Sequence, residues 1–196
     1  AGVCRVRPRF YLSTEWGVPF GTVAIAIPFY LARPDLRALH AERTGFVEGL
    51  GRWELLRYLR HEMGHVVNYA YRLYEQEDWV HRFGPITRPY REEYSPEPFS
   101  RRYVRHLPGW YAQKHPDEDW SETFAVWMTP GLDWRTLLPA GPARLPLRAL
   151  SSAGQETGVA RQRAIVEVEV DFKSRNCVRI FRAAPNRSAS SPRCQW

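Results

Sequence analysis

Between Gly51 and Tyr74 the apolar residues Leu55, Leu59, Met63, Val66, Ala70 and Leu73 recur every three or four positions. At 100° per residue they fall on one face, which predicts a helix over this stretch with His61, His65, Asn68 and Arg72 on the opposite face. A second helix is predicted from Pro116, a residue suited to a first helical position, followed by the acidic first turn Asp117, Glu118 and Asp119. On that helix Trp120, Phe124 and Trp127 share one side, and Glu118, Glu122 and Ala125 share the other. Strand patterns flank this helical zone. Val3 to Tyr11 alternates Arg5, Arg7 and Arg9 with Val6 and Pro8, and Gly21 to Leu31 reads GTVAIAIPFYL. Pro28 cannot donate a ladder hydrogen bond, so the second run is expected to be an edge strand or to end in a bulge. Near the other end Val166, Val168, Val170 and Phe172 alternate with Glu167, Glu169 and Asp171, with Val178, Ile180 and Phe181 as a hairpin partner.

These elements describe an α+β domain. The aromatic, Pro-containing stretch from Phe83 to Lys114, with Tyr90, Tyr94, Tyr103 and Tyr111, connects the two main helices. Its tyrosines read mostly as packing residues with wet hydroxyls. From Leu138 to Gln162 the composition turns to Pro, Gly, Ser and Arg. The chain therefore divides into a domain over about 1–135 and a divergent segment over 136–196, with a possible β-hairpin and a loose tail.

Composition narrows the picture only modestly. A chain of 196 residues can bury a core, and it contains no apolar run long enough to span a membrane. The net charge of +7 is carried almost entirely by Arg. It leaves open a basic nucleic-acid-binding domain, but Arg is spread along the whole chain and no nucleic-acid motif accompanies it, so no specific nucleic acid is expected. Cys4, Cys177 and Cys194 are odd in number and lack CxxC spacing. That argues against a disulfide framework and a thiolate metal site, and with no signal-peptide layout visible it makes a cytoplasmic setting the expectation. Asn186-Arg187-Ser188 matches a glycosylation sequon, a triplet common by chance.

The chemistry lies in Arg60-His61-Glu62-Met63-Gly64-His65, which contains HExxH. On a helix, residues four apart stack on one face about 6 Å from each other, so two imidazoles can converge on one zinc ion. The Glu after the first His can then take a proton from zinc-bound water. A third ligand must come from elsewhere, because no HExxHxxGxxH continuation follows His65. A carboxylate or one of His81, His106 and His115 could serve. The acidic helix is the obvious donor, since Glu118 and Glu122 lie one turn apart, one able to bind metal and the other to hydrogen-bond a ligating His.

Three segments carry a family resemblance: VAIAIPFYLA (Val23–Ala32), LRHEMGHVVNYAYRLY (Leu59–Tyr74) and HLPGWYAQKHPDEDWSETFAVW (His106–Trp127). In them the chain resembles bacterial zinc-binding metallopeptidases of the gluzincin group, with HP-x-EDW-x-ETFA beside HExGH as the more specific part. The resemblance spans roughly Arg5 to Trp134 and lapses afterwards, where such proteins usually continue helically. It implies a zincin-like fold with a small N-terminal sheet and an edge strand. It also implies a Zn²⁺ cofactor on His61, His65 and Glu118, Glu122 as the hydrogen-bond partner of a ligating His, Glu62 as general base and Tyr111 as oxyanion donor. The reverse assignment of Glu118 and Glu122 stays open, as does Asp119. The expected activity is hydrolysis of a peptide or protein substrate. The rivals are a non-catalytic zinc-binding or decayed relative and the basic nucleic-acid-binding domain.

Overall fold

The computed structural model describes residues 6–91 and 93–133, together with two short strands at 168–170 and 178–180. The first strands are β1 (Arg9–Ser13) and β2 (Ala24–Pro28), paired in parallel with Arg9 opposite Ala24 and Ser13 opposite Pro28. The first run thus forms a strand later than its alternation predicts, from Arg9 rather than Val3. Val6 to Pro8 lie outside it, and Pro8 has no N–H to offer a ladder. Helix α1 (Pro34–Thr44) follows, then α2 (Arg52–Ala70), α3 (Glu77–Phe83) and α4 (Pro116–Met128). The mixture of helices with a small sheet is α+β, as the patterning indicates.

Helix α2 is the axis of the molecule. Its predicted apolar stripe faces the sheet: Leu59 and Val66 pack with Ile25, Ile27, Tyr30 and Leu31, with Leu55 and Met63 at the margin. A second core forms beyond it from Val67, Leu73, Trp79, Trp120 and Phe124. The helix stops at Ala70 rather than Tyr74. Arg72 adopts the left-handed region (φ 49°), which breaks the α ladder, and Leu73 enters the core from a following 3₁₀ turn.

Parallel pairing of β1 and β2 has a consequence for the site. A parallel connection must travel back along the strand it leaves. Here residues 14–23 do so without a helix, and Gly17 bridges the outer edge of β2, where the Ala26 N–H donates to the Gly17 carbonyl at 2.8 Å. The edge strand expected within Gly21–Leu31 is β2, and its outer edge is closed at Ala26. The strands β3 (Val168–Val170) and β4 (Val178–Ile180) pair antiparallel, Val168 opposite Ile180, as the alternation predicts. The rest of the 136–196 segment, the three cysteines and the sequon lie outside the described residues.

Helices α2 and α4 cross at very close range. A Cβ built on Gly64 would lie 2.7 Å from the Ser121 Cα, so only glycine fits there. Trp120 pins the crossing by donating its indole N–H to the Gly64 carbonyl at 2.7 Å. Helix α4 starts on a side-chain cap: the His115 Nδ1 accepts from the Asp117 N–H at 3.2 Å, with Pro116 at the first helical position. Replacing Gly64 by Ala should cost about 1–3 kcal/mol through overpacking, read from denaturant unfolding. Because the clash is with main chain, adding Ser121→Gly should not restore stability.

Candidate metal centre

The closeness of α2 and α4 brings the histidine face of one helix onto the acidic face of the other. His61, His65, Glu118 and Glu122 are all buried, at 2%, 7%, 5% and 0% exposure, so their charges and lone pairs must be satisfied by one another or by a bound ion.

Three of their atoms converge. The His61 Nε2 lies 3.0 Å from the Glu118 Oε2, the His65 Nε2 lies 3.3 Å from the same oxygen, and the two Nε2 atoms are 3.2 Å apart. A tetrahedral ion with bonds of about 2.0–2.1 Å spaces its ligands about 3.4 Å apart, close to this triangle. Among the described residues, His61, His65 and Glu118 form the one group arranged to hold a metal ion.

The opposite ring nitrogens are both engaged by carboxylates. The His61 Nδ1 is 2.9 Å from the Glu122 Oε1, and the His65 Nδ1 is 2.9 Å from the Asp117 Oδ2. A proton on each Nδ1 satisfies these bonds and leaves both Nε2 lone pairs directed into the triangle beside a carboxylate oxygen. Three acceptors that close together repel unless a cation or extra protons lie among them. The donor set, its spacing and its tautomers thus fit a divalent ion.

The carboxylates divide the work. Glu118 supplies the converging oxygen, while its Oε1 accepts from the Tyr90 hydroxyl at 3.0 Å. Glu122 stands behind His61, and its Oε2 accepts from the backbone N–H groups of His106 and Leu107, both at 2.8 Å. It therefore orients a ligand and ties the connection at 106–107 to the centre. Asp117, read from sequence only as a first-turn acid, is held by Asn68 at 2.6 Å and by a short bond from the Tyr69 hydroxyl. Asp119 is not part of the converging group.

The alternative histidines are occupied elsewhere. The His106 Nε2 donates to the Arg57 carbonyl at 3.0 Å, and the His115 Nε2 donates to the Arg88 carbonyl at 2.8 Å while its Nδ1 caps α4. His81 is exposed in the last turn of α3.

Glu62 is buried at 4% exposure, and its Oε2 has no hydrogen-bond partner. Burial pushes its carboxyl above the usual range, against the lowering pull of His61 and His65. Tyr111 places its ring edge-on to His61 at 5.6 Å, with its hydroxyl 3.3 Å from that of Tyr90. Burial and the nearby Glu118 push the Tyr111 hydroxyl upward, so it stays protonated and able to donate.

The centre opens into a cleft of about 410 Å³, whose further wall is the 14–23 connection through Trp16, Gly17, Val18 and Phe20. Compared with protein-family models, curated proteins and solved structures, the chain matches none. Among the described residues no helix is long and apolar enough to cross a membrane.

Sequence reasoning missed Asp117, Tyr69 and Tyr90. Asn68 was legible, being seven residues beyond His61 on the same helix face. Tyr90 carried no local signal, because only the return of the 83–114 connection brings it to Glu118.

Without metal, protons take the cation's place. Burial opposes a charge on His61, but the hydrogen bonds to Glu118 and Glu122 outweigh it and push the imidazole up to about 9 from 6.5. Burial would likewise raise Glu118, yet His65 and His61 hold it well below the usual carboxylate range. A raised histidine contributes stability that is complete below its unfolded value and lost as pH rises through its folded value. In chelator, the melting temperature should therefore fall as pH rises from about 6.5 to 9. Saturating metal should abolish that fall, because the ion replaces the protons.

Proposed function

We propose that this chain is a zinc-dependent peptidase that hydrolyses peptide bonds in the cleft between α2, α4 and the 14–23 connection. One observation carries the reading: three buried ligand atoms lie 3.0–3.3 Å apart beside a buried glutamate that keeps one oxygen without a partner. Two imidazoles and one carboxylate are a donor set of catalytic zinc, which leaves a coordination position for solvent or substrate. Zinc held there would supply Lewis acidity and acidify a coordinated water.

The remaining chemistry belongs to the chain. Glu62 is the general base: its Oε2 takes the proton of the attacking water and delivers it to the leaving amine. Burial raises its proton affinity, the direction that favours a proton relay. Tyr111, protonated and at the cleft wall, donates to the carbonyl oxygen as negative charge develops on it. Glu122 and Asp117 fix the tautomer and direction of His61 and His65.

The substrate is a peptide or protein segment. Main-chain pairing with it falls to the Trp16–Phe20 stretch rather than to β2, whose Ala26 N–H is already committed to Gly17. Membership in the gluzincin group of bacterial zinc metallopeptidases, with a zincin-like fold, is part of the same proposal and is supported by HExxH and HP-x-EDW-x-ETFA.

The test compares metal content and turnover in three proteins. Purified wild type should carry about one zinc per chain, and His65→Ala should lose it. Glu62→Gln should keep the zinc and lose turnover of a mixed peptide library by roughly 10²–10⁴-fold. Zinc bound with the library left uncut by wild type would replace this reading with zinc binding without catalysis. Salt-sensitive DNA binding without zinc would favour the nucleic-acid rival.

A further inference from the structure

Next to the metal cleft lies a second cavity of about 230 Å³ that the peptidase chemistry does not use. Among the described residues its lining includes Arg88, Arg91, Arg102 and Lys114, with Glu97 as the one acid. Glu97 offsets little of this charge, since its contact with Arg102 is 3.9 Å long between two largely exposed side chains.

The two cavities are neighbours. Arg88 lines both. Lys114 also belongs to the boundary: its Nζ sits 4.6 Å from the Tyr90 ring and 5.3 Å from the Tyr111 ring. Those two rings present their hydroxyls to the metal cleft, where Tyr90 bonds Glu118. A chain lying in the cleft would therefore meet positive charge immediately past the tyrosine pair. The metal side of that boundary holds Glu62, Asp117, Glu118 and Glu122, so the polarity reverses across one layer of aromatic rings.

We propose that this basic cavity is a substrate subsite that receives an acidic side chain of the peptide, a short distance from the bond to be cut. The cavity's lining suits a carboxylate: it is a half-open recess in which these cations stand beside Tyr94, Tyr103 and Gln113. Guanidinium groups pair with carboxylates through two parallel N–H donors, and three of the four cations here are arginines. Its place as a substrate subsite rests on the peptidase reading, whereas its preference for acidic peptides does not.

The test measures binding, so it is independent of turnover. Fluorescein-labelled peptides of alternating Glu and Gly, Gln and Gly, or Lys and Gly are titrated by anisotropy against the full chain and against Glu62→Gln, both loaded with zinc. The glutamate peptide should bind about tenfold or more tightly than the glutamine peptide, and the lysine peptide weakest. Arg91→Glu/Arg102→Glu, outside the metal cleft, should abolish the preference, and Arg91→Gln/Arg102→Gln should do so with less risk to folding. Arg43→Glu/Arg52→Glu changes net charge equally at distant exposed sites and should keep it.

Equal binding of the glutamate and glutamine peptides would overturn the inference, as would a preference that survives both cavity variants or falls equally in the distant control. Displacement of the glutamate peptide by a short oligothymidylate at lower concentration than by unlabelled peptide would overturn it in favour of nucleic acid. Acidic-peptide binding with no cleavage by zinc-loaded wild type would sustain the cavity's acidic-peptide preference and reject the peptidase reading, and with it the cavity's place as a substrate subsite.

Discussion

Three electron-rich atoms share one small volume in the interface between α2 and α4: the Nε2 of His61, the Nε2 of His65 and the Oε2 of Glu118. Left alone they repel, and their burial leaves little solvent to relieve the repulsion. Something positive must stand among them, either protons or a metal ion. Much of the surrounding architecture can be understood as holding that unfavourable convergence in place. Glycine at position 64 lets the helices approach, the Trp120 indole fastens them, and His115 with Pro116 starts α4 at the right residue.

The carboxylates behind the histidines extend this constraint outward. Glu122 connects His61 to the backbone at 106–107, and Asp117 connects His65 to Asn68 and Tyr69. A ligand that moved would break a buried hydrogen bond to a charged group, among the costlier bonds to lose. The position of His61 is thus tied, through Glu122, to the backbone of the connecting segment at 106–107.

The cleft is assembled from distant parts of the chain with unlike character. Helix α2 supplies Glu62 and two nitrogens, α4 the carboxylates, and the crossover between β1 and β2 an apolar wall of Trp16, Val18 and Phe20. The 83–114 connection supplies Tyr90 and Tyr111, and its far side carries the arginines of the neighbouring cavity. An apolar wall, a floor of candidate metal ligands and a basic recess thus follow one another along this face.

Local order was legible in the residues themselves. The 3.6-residue period of Leu55, Leu59, Met63 and Val66 set the helix and its sheet-facing side, and the i, i+4 spacing placed His61 and His65 together. Proline and three acids marked the start of α4. These are short-range consequences of backbone geometry. Tertiary structure decided what lies far apart in sequence. It selected Glu118 over Glu122 for the converging position, and it turned Asp117 toward His65. It also closed β2 at Ala26 with Gly17, and carried Tyr90 to Glu118. Each of those outcomes depends on how closely two helices cross or where a loop returns. Such choices are fixed by packing between elements, which no local spacing encodes.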